Sequence, residues 1–474
     1  LCRLATWFYP FNSDHWLFYY IGRILGKGGV LYVDAWDHKP PLIFVFNALM
    51  HLLFGGSLIL HRIFLTILTI FDIYLFYKLL QIFKKNFKQI FTDKITKIGL
   101  ILYVFWRNLS QFTSNGNNTE NFGIIFVLLM FLGFFKYRET KKWNYLFLSG
   151  LSLSILFYLK GNFVLLSLPI VVELLIQNYK TIKKLVLNFF IFGFPLALHS
   201  AFWVLYFYSK GALNDFWIGA FLFSSKYLKS TWLGDVSPHA IFILILLPLL
   251  IPVAIFAVKF LKDYKPALKD ENYRFLFSLF VASLILAAGM GAFYPYYFLI
   301  LLPSFILIIL YSYSKFLKAK NKNYYLAIAI LLLGMFSSFI ISQKQLYNYF
   351  TGTTKREITG FQAIGDYIKN NTKKNDKIIV YTYGATLYRL AERNSASRFV
   401  SASVLLLDER EGYGFNFSQT FIDEIKKNKP KYCVFPKSED DLYMQNKKIV
   451  NYIKENFTEE KVFDEFVVLK NKVF

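Results

Sequence analysis

Between Phe11 and Leu42 the chain reads FNSDHWLFYYIGRILGKGGVLYVDAWDHKPPL, and eight ionisable side chains crowd into it: Asp14, His15, Arg23, Lys27, Asp34, Asp37, His38 and Lys39. A carboxylate can take a proton from a hydroxyl, and a cation can stabilise an anion as its charge develops. Asp14 follows Asn12 and Ser13 and precedes Trp16 to Leu25, whose apolar residues repeat at helical spacing. That places Asp14 at or near a helix N-terminus, where a capping role and a base role both stand. Lys39 precedes Pro40 and Pro41, which force extended backbone into the next segment. Taken alone it reads as an ordinary snorkelling lysine at an apolar edge.

The elements that must position these residues follow from composition. The chain has 474 residues, 55% of them hydrophobic and 18% charged. A soluble domain carries about 25% charged residues. Eleven apolar segments recur, at 41–57, 59–83, 97–107, 121–135, 145–159, 161–177, 185–208, 239–258, 275–290, 296–313 and 324–342. Apolar runs near twenty residues read as membrane spans. This excludes a soluble enzyme, a disordered scaffold and a collagen-like or disulfide-stapled chain. Cys2 and Cys433, the only cysteines, give neither a disulfide framework nor a cysteine metal site.

The net charge of +24 divides unevenly. Residues 355–474 carry 21 basic and 17 acidic residues, so the first 354 hold +20. Basic residues fill five loops: Lys84 to Lys97, Lys136 to Lys142, Lys180 to Lys184, Lys259 to Arg274 and Lys315 to Lys322. The positive-inside bias assigns these to the cytoplasm and accounts for the charge without nucleic acid. The intervening loops, Asn108 to Asn121, Tyr208 to His239 and Gly291 to Pro295, then fall outside, as does the tail after 342. One count conflicts. With residues 1–40 also outside, ten crossings are needed, so either 41–57 lies in the interface or re-enters, or the alternation slips near His61 and Arg62. The chain begins at Leu1 with no visible signal peptide, and the expectation is that a first membrane helix precedes it.

From about 355 the composition becomes that of a small α/β domain. Strands are expected at Lys377 to Tyr383, Arg398 to Ala402, Tyr432 to Pro436 and Phe463 to Leu469. Helices are expected at Phe361 to Lys369, 417–428 and 443–455. Nothing in this domain argues for catalysis, and its expected role is accessory or acceptor-binding. The domains are thus a first external loop (1–40), a helical bundle (41–343) and a soluble domain (355–474).

Asp14, Tyr20 to Arg23, Gly28 and YVDAWDHKPPL (Tyr32 to Leu42) together resemble the first external loop of polyprenyl-phosphate-sugar glycosyltransferases. These are the GT-C fold enzymes of the protein O-mannosyltransferase and lipid A aminoarabinose transferase kind. Asn118 to Phe122 (NTENF) resembles the family's second external acidic motif, and Gly211 to Phe216 (GALNDF) a recurrent external-loop motif. Gly291 to Pro303 resembles a late-helix motif that often reads His-Tyr; here Tyr296 occupies the histidine position, beside Tyr297.

The resemblance implies an all-α polytopic membrane bundle of about 10–12 spans with a small extracytoplasmic α/β domain, in the cell membrane. It implies a glycosyltransferase, with a polyprenyl-phosphate-linked sugar as donor and a hydroxyl of a protein, lipid or cell-envelope glycan as acceptor. Asp14 would be the base of an inverting single displacement. Lys39, helped by Arg23, would hold the leaving phosphate. Glu120 would be a second carboxylate that orients the acceptor or binds a metal, its alternative being a solvated loop acid. His15, Asp34, Asp37, His38, Tyr296 and Tyr297 would line the cavity. No Asp-x-Asp occurs, and the family is not thought to need a metal, so no cofactor is expected; a divalent metal is the alternative. Trp16, Trp36 and Trp217 are candidates for sugar stacking. Asp72 and Glu173 lie inside apolar segments, where a charge is either functional or structurally paired. Two other classes remain, a transporter or flippase of lipid-linked sugars and a non-catalytic envelope assembly protein.

Overall fold

The computed structural model describes residues 2–8, 13–114, 116–225, 237–262, 269–289, 294–318, 323–351, 353–382, 384–406 and 415–474. Phe11, Asn12, Lys265, Gly291, Lys320, Lys322 and Tyr383, named above, lie outside them. By contacts the chain falls into two units, and neither is a continuous stretch.

The first unit comprises Leu1–Tyr9, Ile59–Leu205 and Thr231–Leu346. Seven stretches among the described residues are long and apolar enough to cross a bilayer: Leu58–Asn86, Thr119–Thr140, Gly161–Asn178, Ile182–Ser209, Glu271–Ala288, Pro295–Ser314 and Ile328–Thr351. The chain is a multi-pass membrane protein. In the apolar 18-residue window of Pro295–Ser314, 89% of the residues are buried, against 17% in that of Ile182–Ser209, which turns most of its apolar surface outward as a lipid-facing helix does. Helices meet at small residues. At Gly150 a β-carbon would lie 2.1 Å from the Phe192 carbonyl oxygen, so only glycine allows that approach.

The intramembrane acids are structurally paired. Arg107 donates to Asp72 from Nε at 2.8 Å, Tyr103 donates to the other carboxylate oxygen at 3.1 Å, and Arg107 also reaches Thr113 at 3.1 Å. Arg274 grips Glu173 in bidentate fashion at 2.9 and 3.1 Å. Buried charges persist in a low-dielectric interior only when matched in this way.

The basic loops converge. Lys85 pairs with Glu139, Arg138 with Glu271 at 3.2 Å, and Arg274 with Glu173, so loops 84–97, 136–142 and 259–274 share one end of the unit. That is the grouping the positive-inside alternation requires.

The second unit comprises Pro10–Leu58, Tyr206–Ser230 and Tyr347–Phe474. The helix Ser13–Gly26 packs on Leu42–Phe54, and Gly22 makes the contact possible: a β-carbon there would lie 2.5 Å from that of Asn47. The helix of 13 residues from Leu42 to Phe54 rises about 20 Å, short of the roughly 30 Å hydrocarbon core. Strands β1 (Lys377–Val380), β2 (Asn394–Ser395), β3 (Tyr432–Pro436), β4 (Phe457–Val462) and β5 (Phe466–Asn471) form one sheet in the order β2-β1-β3-β5-β4. The first three are parallel, and β5 runs antiparallel to β3 and β4. Helices Thr353–Asn371, Phe417–Asn428 and Lys447–Asn456 correspond to the three expected ones.

The strand expected at Arg398 to Ala402 is not formed. That segment makes a single bridge, Phe399 with Trp36, because its hydrogen bonds go to the first loop and to Glu424. The edge strand β4 was not expected; its sequence FTEEKV is charged, which suits a strand with one side unpaired.

Candidate functional site

Asp14 falls in the first turn of the Ser13–Gly26 helix, where the helix dipole favours a carboxylate. The chain leaves that helix at Gly28, whose φ of +90° only glycine adopts readily. It then turns through Leu31–Ala35 to deliver Asp37, His38 and Lys39 back beside Asp14. These four, with Leu17 and Trp36, line a small cavity of about 50 Å³ closed by Ala385, Ser401, Ser403 and Val404. That is the room of one or two waters, enough for a reacting hydroxyl and too little for a whole sugar.

Asp37 is 2% exposed, yet it is charged. Burial pushes its carboxyl upward, but Lys39 and then His38 more than offset this and hold it well below the usual carboxylate range. His38 Nδ1 lies 2.9 Å from one Asp37 oxygen, and Lys39 Nζ donates to the other at 3.4 Å. Lys39 also sits over the Phe18 ring, 4.8 Å from its centroid. The lysine is thus fixed from two sides while remaining 18% exposed.

The loop is anchored by Arg398 and, through it, by Glu424 and Asp215. Arg398 donates to Glu424 at 2.7 Å, to Asp215 at 3.0 Å and to the Tyr32 carbonyl at 3.3 Å, and its own carbonyl accepts the Trp36 N–H at 2.8 Å. Asp215 belongs to the GALNDF motif, whose Phe216 packs on Phe207 and Tyr32. Trp36 is enclosed by Phe223, Phe399 and Phe417, at 5.2, 5.8 and 4.7 Å, so its faces serve packing. Arg398 thus ties the loop that carries Asp37 and Lys39 to Glu424 and Asp215. Arg398→Gln should lower kcat about 10-fold, leave the donor KM within about 2-fold, and cost about 1–2 kcal/mol in thermal unfolding. Transfer kinetics at wild-type rates with that stability loss would limit Arg398 to the fold.

Other expected lining residues lie elsewhere. Arg23 donates to Asn394 at 2.8 Å and covers the Tyr20 ring. Asp34 accepts from the Val30 N–H at 2.7 Å and holds the turn. His15 is buried in the Ser13–Gly26 helix, and Trp16 is covered by Arg389. Trp217 is 58% exposed.

The first unit holds a second cluster. Glu120, in the first turn of the Thr119–Thr140 helix, is fully buried. It accepts from Lys160 at 2.8 Å and from Thr119 at 2.8 Å. Lys160 Nζ lies 3.6 Å from the centroid of the Tyr297 ring, a close cation–π contact. Tyr296 stands edge-on to Tyr297 at 4.8 Å. Two motifs far apart in sequence thus meet through a lysine that composition alone presents as one more basic residue at a helix end. Lys160 remains 21% exposed, so its charge is not wholly spent on Glu120. Among the described residues no group of three His, Cys, Asp or Glu side chains converges as a metal site.

One family model spans His38 to residue 206, taking in Lys39, Glu120 and Lys160. That model is the one for dolichyl-phosphate-mannose-protein mannosyltransferases, so this stretch is similar to them. Asp14 and Tyr297 lie outside the stretch that matches the mannosyltransferases. Residues 360–472 match a different model, the C-terminal domain family of competence-induced protein Ccs4. No curated protein matches the chain. Among solved structures, ArnT from Cupriavidus metallidurans bound to undecaprenyl phosphate matches with a TM-score of 0.60 at 13% identity, covering 99% of this chain and 95% of that one. Its apo form matches with a TM-score of 0.54 at 13% identity, covering 98% and 96%. The chain therefore has the ArnT fold over nearly its whole length, a helical membrane bundle with a mixed α/β sheet domain, and the stretch similar to the mannosyltransferases lies inside it.

Proposed function

We propose that the chain is a membrane glycosyltransferase that moves a sugar from a polyprenyl-phosphate donor to a hydroxyl of a protein, lipid or cell-envelope glycan. The first loop and the α/β domain act on the extracytoplasmic face, and the anomeric configuration inverts. The observation that carries this reading is the placement of a carboxylate and a lysine, Asp14 and Lys39, in the lining of a single small cavity. The mannosyltransferase-family stretch and the ArnT fold support a lipid-phosphate donor.

The acceptor oxygen attacks the anomeric carbon as the bond from that carbon to the phosphate oxygen breaks. The electron pair leaves with the lipid phosphate, and the acceptor proton passes to Asp14. Lys39 stabilises the charge developing on the phosphate, held in place by an ionised Asp37. Glu120 and Lys160 form a further carboxylate–ammonium pair within the first unit. No metal is needed for any of these steps, and a chelator is expected to leave the rate unchanged.

The test is transfer of labelled sugar from synthetic polyprenyl phosphate by the purified full chain. Release of polyprenyl phosphate with label appearing on an extracted acceptor is expected. A nucleotide sugar serving as donor while the lipid one is inert would overturn the reading. So would movement of the intact donor across vesicles without bond cleavage.

A further inference from the structure

A groove of the first unit lies away from the Glu120–Lys160 cluster. It runs between the helices Leu58–Asn86, Thr119–Thr140 and Trp143–Leu159 and encloses about 960 Å³. Phe126, Leu129, Leu132, Leu148, Leu151 and Ile155 make its wall. From Phe126 to Glu139 the wall follows one helix for about 20 Å, more than half the roughly 30 Å hydrocarbon core. An acyl chain of a single leaflet fits that length.

One end of the groove is basic. Lys78, Lys85, Lys136, Arg138 and Lys141 reach it, against two carboxylates, Glu139 and Glu271. Glu139 is shared by Lys85 and Lys136, and Glu271 pairs with Arg138 at 3.2 Å. Three positive charges are left over, at the end where the basic loops converge. Arg138 is the sharpest feature. Its side chain is only 9% exposed, it donates to Asn272, and its Nη1 finds no acceptor among the described residues. A buried guanidinium N–H without an acceptor is costly, and a phosphate oxygen is the partner whose geometry suits it.

We infer that this groove is a binding site for an anionic phospholipid, its chains against the apolar wall and its phosphate between Arg138, Lys136 and Lys141. Basic pockets between membrane helices commonly hold such headgroups. The occupant is not the sugar donor. Glu120 stands at the other end of the same helix, about 28 Å from Glu139 at 1.5 Å per residue, a full hydrocarbon thickness away. A phosphate in the groove therefore lies at the opposite membrane surface from the Glu120–Lys160 cluster. The inference holds whether or not the chain transfers sugar.

The full chain in neutral detergent tests it. Phosphatidylglycerol should raise the thermal midpoint by at least about 3 °C, whereas phosphatidylcholine and inorganic phosphate should not. Mass analysis should find phosphatidylglycerol retained through purification. The double variant Lys136→Gln/Lys141→Gln changes two exposed positions and should lose at least half of the shift. Leu148→Glu/Leu151→Glu, also at exposed positions, should lose it through the wall. Equal stabilisation by phosphatidylcholine would overturn the charge selectivity, and equal stabilisation by inorganic phosphate would overturn the lipid. An unchanged shift in both variants would overturn the location. If the basic variant instead lost retained polyprenyl phosphate, the assignment to phospholipid would be wrong.

Discussion

Asp14→Asn is expected to lower kcat for sugar transfer by about 10²–10⁴-fold, with the donor KM changed less than about 3-fold. The substitution separates the two roles that a first-turn acid can play. Asparagine caps a helix as well as aspartate does, so a purely structural Asp14 would tolerate it. The helix loses only the interaction of a charge with its dipole, about 0.3–1 kcal/mol, and membrane insertion and thermal midpoint should hardly move. The amide, however, has no carboxylate oxygen to accept a proton at neutral pH. A hydroxyl attacking the anomeric carbon would then have to lose its proton to water, in a cavity with room for one or two molecules. Single-turnover transfer with donor in excess is the measurement. Wild-type rates in Asp14→Asn would remove Asp14 from the chemistry and leave it as a cap.

Lys39→Gln is the second large effect, an expected loss of about 10²–10³-fold in kcat together with weaker polyprenyl phosphate binding. Lys39→Arg should recover part of the rate, since charge is kept but the guanidinium does not reproduce a point ammonium over Phe18. The variant carries a second signature, through Asp37. In the native protein this carboxyl is held below its ordinary range, so its ionised form adds stability above about pH 4, lost as pH falls from there towards the depressed value. Without Lys39 the burial of Asp37 is opposed mainly by His38, and the folded-state value rises. Acid destabilisation of Lys39→Gln should therefore begin at higher pH than in wild type, measured as thermal midpoint between pH 3 and 6. A pH profile parallel to wild type, with donor binding intact, would place Lys39 outside the site.

Much of the bundle was legible because membrane spans are written in composition. Residues 185–208, for instance, correspond to the helix Ile182–Ser209, and the first-turn position of Asp14 followed from the spacing of Trp16 to Leu25. The pairing of Asp72 with Arg107 and of Glu173 with Arg274 could be posed as an alternative but not assigned, since an apolar run does not say which helix faces which. Lys160 was illegible for a sharper reason. A lysine ending an apolar segment is normally a snorkelling residue, and only the fold brings Tyr297 under it and Glu120 beside it. Arg398 to Ala402 carried the apolar and polar alternation of a strand, but its backbone partners are the first loop and Glu424, not a sheet neighbour. Ser401 and Ser403, 2.7 Å apart, close the cavity from a domain in which no catalytic motif could be found.

The cavity is lined by Asp14 to Lys39 from one end of the chain and by Ala385 to Val404 from the other. This has a consequence for biosynthesis. At about 5–20 residues per second, the ribosome needs on the order of 20–70 s to travel from the first set to the second. Throughout that interval the cavity has only one of its two walls. A stop codon upstream of Ala385 would leave the proposed base and lysine in a half-built cavity, and no consumption of donor is expected. Chain order thus makes the cavity a late product of translation: the later-translated set completes the earlier one.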